Sequence, residues 1–207
     1  MNIQPNELEN SGYVLIDKLK HNDLMVFLTE KNKTNKSFYS YLFLGCLIAP
    51  LPILSFFFTI SFLQDKITIG SGLLYCLLGI GLVFLFIPFH ELLHALGYRL
   101  VGARNISFFA NIKKLYFAAI SDKSVINLKE FKVVALFPFL FVIITGLALI
   151  PLISNNLLLT IITFITVHNL FCSGDFALLN YMQSNKHKGI VTYDDKAKGE
   201  TYFYIQN

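Results

Sequence analysis

Three long stretches of the chain carry no charged side chain: residues 38–64, 67–89 and 133–174. A helix that crosses the hydrocarbon core of a bilayer needs about 20 apolar residues, so the first two stretches each hold one such helix. The third is about twice that length and contains the sequence IPLISNN, whose proline and asparagines are typical of a turn. The pattern predicts an α-helical integral membrane protein with four transmembrane helices, at about residues 39–63, 71–98, 132–152 and 156–182.

The segments between and after these helices have β-strand character. Residues 103–131 include NISFFANIKKLYFAAIS, a partly alternating run that predicts two or three short strands in a small β-region at the membrane face. Asn127 and Glu130 have the spacing of a capping box at the start of the third helix. In the tail, residues 183–207, two β-prone runs flank DDKAKG and predict a β-hairpin. For the N-terminal segment, residues 1–37, the pattern leaves a small amphipathic helix and a strand open.

Composition supports a membrane domain over residues 38–182, between an N-terminal segment and a tail. Hydrophobic residues make up 55% of the chain and charged residues 14%, against about 25% charged in an average soluble domain. The alternative is an all-helical soluble core, which we set aside because buried helices of soluble proteins rarely lack a polar face.

The basic residues predict the orientation of the helices. They concentrate before the first helix, between the second and third, and after the fourth, whereas the other two connections hold Lys66 alone. Since lysine and arginine favour the cytoplasmic side, we expect both termini in the cytoplasm of a bacterial cell. The lysines are not interleaved with stacking aromatic residues, so we expect no nucleic-acid partner, and we expect no nucleotide cofactor.

The second helix ends in a motif that predicts a metal site. His90 to His94 read H-E-x-x-H, and on a helix the two histidines face one side and can bind one cation. Glu91 is then placed to hydrogen-bond the zinc-bound water and act as general base. Because only three of its five positions are fixed, the H-E-x-x-H pattern also occurs by chance in proteins without a metal site. A charged group in mid-bilayer costs roughly 2.5–3.5 kcal/mol, however, and a cost of that size favours a functional role.

A catalytic zinc ion needs a third protein ligand, and the sequence offers Asp175, His168 and, more distantly, Glu130. Counted at 1.5 Å per residue, His90 and Asp175 each lie about 28 Å along their helices, near the inner boundary of the membrane, which favours Asp175. His168 is also open as a transition-state donor, a proton shuttle or a buried histidine bonded to a neighbouring helix. Asn169 is open as a donor to substrate or oxyanion, or as an interhelical hydrogen-bonding residue.

The segment HELLHALGYRLVGAR resembles the corresponding segment of site-2-protease-type intramembrane metalloproteases, with matching positions at His90, Glu91, His94, Ala95 and Gly102. Residues 75–205 are more similar to a putative zincin peptidase family of small bacterial membrane proteins, a domain of unknown function. The shared features are the YFAAIS strand, the ALFPF start of the third helix and a Gly-Asp pair in the last one.

This resemblance implies zinc bound by His90 and His94, Glu91 as the base, and Asp175 as the aspartate ligand of the last helix. The chain lacks the Asn-Pro and Leu-Asp-Gly letters of site-2 proteases and has the sequence SGDF at residues 173–176 instead. That departure bears on how a substrate is held.

The predicted function is that of a zinc-dependent, membrane-embedded metallopeptidase. It hydrolyses a peptide bond in or near the membrane by Glu-assisted attack of zinc-bound water, at a site near the cytoplasmic face. Its partners are then a membrane protein or peptide substrate and the lipid bilayer. The alternatives are a non-catalytic zinc-binding regulator or immunity-type protein and, with less support because no inverted repeat is visible, a small transporter.

Overall fold

The structure, a computed structural model, describes residues 3–23, 26, 30–31, 37–111 and 116–207. Its helices are α1 (Phe38–Ile48), α2 (Pro50–Leu63), α3 (Ile69–Leu100), α4 (Leu128–Leu149), α5 (Asn155–Phe171) and α6 (Ser173–Ser184). Its strands are β1 (Tyr13–Lys20), β2 (Ile106–Asn111), β3 (Tyr116–Ser121), β4 (Ile126–Asn127), β5 (Val191–Asp195) and β6 (Glu200–Gln206). Parts of the predicted N-terminal segment and β-region, residues 24–25, 27–29, 32–36 and 112–115, lie outside the described residues.

In the part of the chain that the structure describes, three helical segments are long and apolar enough to cross a membrane: Phe38–Leu63, Ile69–Leu100 and Leu128–Leu152. Helices α5 and α6 pass the same test only as a pair, and the chain bends by 46° between them. The described residues therefore contain three candidate spans, or four if the bent pair is one span. The single helix predicted over residues 156–182 is two helices.

Two helix breaks have local causes. The first separates α1 from α2 at Ala49, where Pro50 takes the first position of α2 and its missing N–H costs no hydrogen bond. The second lies at Cys172, whose N–H reaches the carbonyl of His168 and closes α5. The weak helix formers Ser173 and Gly174 follow it.

The chain divides into two compact units, one of residues 1–40, 90–137 and 174–207 and the other of residues 41–89 and 138–173. The second unit is helical, and small residues set its packing. A Cβ added to Gly79 would lie 2.5 Å from the carbonyl oxygen of Thr160, so only glycine permits α3 and α5 to approach this closely. The hydroxyl of Thr160 donates to the carbonyl of Tyr75, at 2.9 Å.

The first unit contains both sheets. A four-stranded antiparallel sheet has the order β1-β6-β5-β4, and β2 and β3 form a two-stranded antiparallel sheet. The predicted tail hairpin is confirmed, with Asp195 opposite Glu200 at its turn. The N-terminal segment contributes a strand, β1, to this sheet. Three segments that are distant in the sequence therefore share one sheet.

The four-stranded sheet packs against α6. Its apolar cluster consists of Leu19, Tyr181, Met182, Ile190 and Phe203, all buried. Nearby, the predicted capping box at the start of α4 is confirmed. The backbone N–H of Asn127 donates to Glu130, at 2.9 Å, and the backbone N–H of Glu130 donates to the Asn127 side chain, at 3.1 Å. This fixes the point at which β4 becomes α4.

Candidate metal centre

The last three turns of α3 carry the H-E-x-x-H residues. His90 and His94 are four positions apart on one helical face, and both are buried. Their Nε2 atoms lie 3.0 Å from each other, with the ring planes at 81°. The two imidazoles therefore converge on one point beside the helix.

Asp175, in the first turn of α6, completes this cluster. One carboxylate oxygen lies 3.3 Å from Nε2 of His94 and the other lies 3.6 Å from Nε2 of His90. The three donor groups belong to the same unit of the structure. The structure thus brings together the three residues that the sequence analysis proposed as ligands.

The donor set suits a zinc ion. Ligand atoms at 2.0–2.1 Å from a tetrahedral ion are about 3.3 Å apart, and the three donors here are separated by 3.0, 3.3 and 3.6 Å. Two facing imidazole nitrogens at 3.0 Å need a proton or a cation between them, because their lone pairs repel each other. Two histidines and one carboxylate are also a usual zinc donor set.

A backbone carbonyl sets the orientation of His94. Its Nδ1 lies 3.0 Å from the carbonyl oxygen of Val134 on α4, so Nδ1 carries the proton and donates. The Nε2 lone pair then faces the other two donors. Gly97 makes this contact possible, since a Cβ at that position would lie 3.0 Å from the Cα of Val134.

The carboxylate of Glu91 is bound by the β-region. Its Oε2 accepts a hydrogen bond from the backbone N–H of Ala119 in β3, at 2.6 Å. Ala119 is paired with Phe108 in β2, yet its N–H points to Glu91 and away from β2. The outer edge of β3 therefore faces the predicted general base.

His168 and Asn169 lie in the second unit, on α5. His168 is buried between aromatic rings: its centroid is 5.5 Å from that of Phe86 and 6.0 Å from that of Phe164. The side-chain amide of Asn169 donates to the carbonyl of Cys46 on α1, at 3.1 Å, which is the interhelical bond weighed above. Its Oδ1 is buried and has no hydrogen-bond partner among the described residues. A role for either residue in the reaction stays a prediction.

Sequence reasoning missed two contributors to the centre, the carbonyl of Val134 and the N–H of Ala119. Both are backbone groups of apolar residues, so no letter of the sequence marks them. The one signal available is the glycine at position 97, which predicts close helix packing but not its partner.

Comparison with known proteins assigns the chain to a family. A family model described as a putative zincin peptidase matches residues 83–189, just over half of the 207 residues. The matched range contains all three donor residues and Glu91. No curated protein and no solved structure matches the chain.

Proposed function

Because the chain belongs to the putative zincin peptidase family, we propose that it is a zinc-dependent peptidase embedded in the membrane, where it hydrolyses a peptide bond in or near the bilayer. One observation carries the proposal. His90, His94 and Asp175 present donor atoms 3.0–3.6 Å apart, and Glu91 adjoins the first of them. A largely buried group of this composition is suited to bind a cation, and Glu91 is an acid–base residue beside it.

The residues have separate roles in this proposal. His90 and His94 through Nε2, and Asp175 through its carboxylate, would hold the zinc ion. Zinc supplies Lewis-acid activation of water and of the scissile carbonyl. Glu91 takes a proton from the attacking water and delivers it to the leaving amine; once the new carboxyl group gives up the second water proton to the amine, the products are a carboxylate and an ammonium group.

The edge of β3 supports a proposal for substrate binding. Among the described residues β3 pairs only with β2, and the N–H of Ala119 already points outward to Glu91. Residues two apart share an orientation in an antiparallel ladder, so the N–H of Phe117 also faces outward. A substrate that adds an extended strand to this edge would bring its backbone to Glu91. An extended segment is needed because a helical carbonyl is already hydrogen-bonded.

The membrane arrangement is also part of the proposal. We infer four spans, with α5 and α6 forming the fourth, both termini in the cytoplasm, and the site near the cytoplasmic face. The supporting facts are the apolar length of the helices and the basic residues outside them.

The test is the Glu91→Gln variant, which keeps the size of the side chain but removes the base. We expect it to bind zinc like the parental protein and to lose cleavage by about 100-fold to 10,000-fold. The matched control is Glu130→Gln, a carboxylate that caps α4. Substrates are sought by comparing the N-terminal peptides of membrane proteins from cells that express each form.

Two results would contradict the proposal. If the parental protein and Glu91→Gln bind zinc equally and give identical peptide profiles while both restore the same cellular phenotype, the chain is a non-catalytic zinc protein. If the parental protein binds no zinc, the peptidase proposal fails at its first step, and transport becomes the better hypothesis.

A further inference from the structure

The position of Asp175 depends on how α6 is held. Asp175 lies in the first turn of α6, directly after the break at Cys172, so no continuous helix carries it into place. α6 has only 12 residues, and its position must come from contacts along its own length. The contacts six residues further on, at Tyr181, act about 9 Å from Asp175 along the helix axis.

Two hydrogen bonds fasten α6 to residues that precede the first apolar helix. The hydroxyl of Tyr181 donates to the carboxylate of Asp17 in β1. The backbone N–H of Ser37 donates to the side-chain oxygen of Asn180, at 2.9 Å. Tyr181 and Asn180 are both buried, so these bonds are shielded from water and stronger than surface bonds.

Asp17 occupies a special place in its strand. The pairing of β1 with β6 shifts register between Leu15 and Asp17, which marks a β-bulge. Bulges turn a side chain away from the direction it would have in a regular strand. The second carboxylate oxygen of Asp17 is bound by the ammonium group of Lys31, so both oxygens have a partner. The strand β1 and Lys31 thus fix the carboxylate of Asp17, and this carboxylate in turn binds Tyr181 of α6.

From these contacts we propose that β1 is a positioning element of the metal centre, in which Asp17 and Tyr181 are positioning residues that keep Asp175 beside His90 and His94. The inference rests on the proposed zinc site. It goes beyond the family match, because that match begins at residue 83 and β1 lies outside it. The N-terminal segment then has a defined role in zinc binding.

The test measures the zinc dissociation constant of the purified full chain in detergent, by competition with a chromogenic chelator. Tyr181→Phe removes the hydroxyl and keeps the ring that packs on Phe203, at a centroid distance of 5.0 Å. Asp17→Ala removes the acceptor. We expect each variant to bind zinc about 10-fold more weakly, the size of effect seen when an outer partner of a metal ligand is lost. The double variant should lose little more than either single one, since both remove the same bond.

Lys18→Gln is the matched control. Lys18 neighbours Asp17, is exposed, and forms a salt bridge to Glu200 at 2.9 Å that links β1 to β6. This variant should keep the parental zinc affinity. If Tyr181→Phe and Asp17→Ala lower the melting temperature but bind zinc like the parental protein, the inference is wrong and β1 has a structural role only. A parental protein that binds no zinc would contradict the proposed function and this inference together.

Discussion

Four side chains determine the charge of the candidate metal centre. With neutral imidazoles at His90 and His94, the carboxylates of Glu91 and Asp175 give the group a charge of −2, which one divalent cation balances. Uncompensated charge in a buried site costs several kcal/mol per ion. Cation binding at this centre therefore depends strongly on each carboxylate that acts as a ligand.

At the residue scale, Asp175→Ala should therefore abolish tight zinc binding. Loss of a residue that only hydrogen-bonds to a metal ligand lowers metal affinity roughly 10-fold to 100-fold. We expect the zinc affinity of Asp175→Ala to fall by more than that, because a ligand itself is lost. His168→Ala, on α5, is the parallel variant and should retain zinc. Metal analysis of both purified proteins by mass spectrometry checks the pair. Loss of zinc from His168→Ala combined with its retention in Asp175→Ala would make His168 the third ligand.

The side chains of the centre were accessible to sequence reasoning, and the groups that orient them were not. Helical spacing identified His90, Glu91 and His94, and a count along two apolar helices selected Asp175. The carbonyl that orients His94 and the N–H that binds Glu91 belong to Val134 and Ala119, whose side chains have no polar atom. Only the packing of the folded chain determines which backbone groups lie beside a site.

At the scale of elements, apolar length predicted where helices occur but not where they break. The breaks at Ala49 and Cys172 depend on one or two residues inside stretches that carry no charged side chain. The sequence also left open whether the N-terminal segment forms a helix or a strand, because an edge strand of eight residues such as β1 has a weak pattern of its own. Its structure comes from pairing with β6, nearly 190 residues later in the chain. Such long-range pairing leaves little trace in a local pattern.

The edge of β3 leads to a prediction about substrate affinity. Phe117→Pro removes an N–H that faces outward, so it should leave the β2–β3 ladder intact, since proline is tolerated at sheet edges. A substrate strand that pairs with this edge would lose a hydrogen bond. The substrate is one that the comparison of the parental protein with Glu91→Gln has identified. We expect the KM of the Phe117→Pro variant for it to rise about 10-fold, because one net hydrogen bond contributes about 1 kcal/mol or slightly more.

Phe117→Ala is the control for that experiment, because it removes the same ring and keeps the N–H. Parental zinc affinity in both variants shows that the centre is intact. Equal KM values for Phe117→Pro and Phe117→Ala would contradict pairing of the substrate with β3 at this position.

At the scale of the whole molecule, the two units are interleaved along the chain. The first unit combines an N-terminal strand, the end of α3, the β-region, the start of α4, and α6 with the tail, and it holds both sheets and all three proposed zinc ligands. The second unit contains only helical elements of strongly apolar sequence. The proposed zinc ligands and most residues of the candidate membrane-spanning helices thus lie in different units, although α1, α3 and α4 contribute residues to both units.

The number of spans decides where the tail lies. If α5 and α6 together cross the membrane, the chain has four spans and both termini share one side; if they do not, three spans place the termini on opposite sides. Single cysteines at Glu9, Lys66, Ser154 and Lys196, in a chain whose native cysteines are replaced by serine, report on two of the connections and on both terminal segments. A membrane-impermeant maleimide applied to sealed spheroplasts should label positions 66 and 154 at once. It should label positions 9 and 196 only after the membrane is permeabilised, as the distribution of basic residues predicts.

Labelling of position 196 but not of position 9 in sealed spheroplasts would mean three spans. In that case the tail hairpin could not pair with β1 in the membrane-inserted protein, so this outcome would contradict the four-stranded sheet as well as the topology.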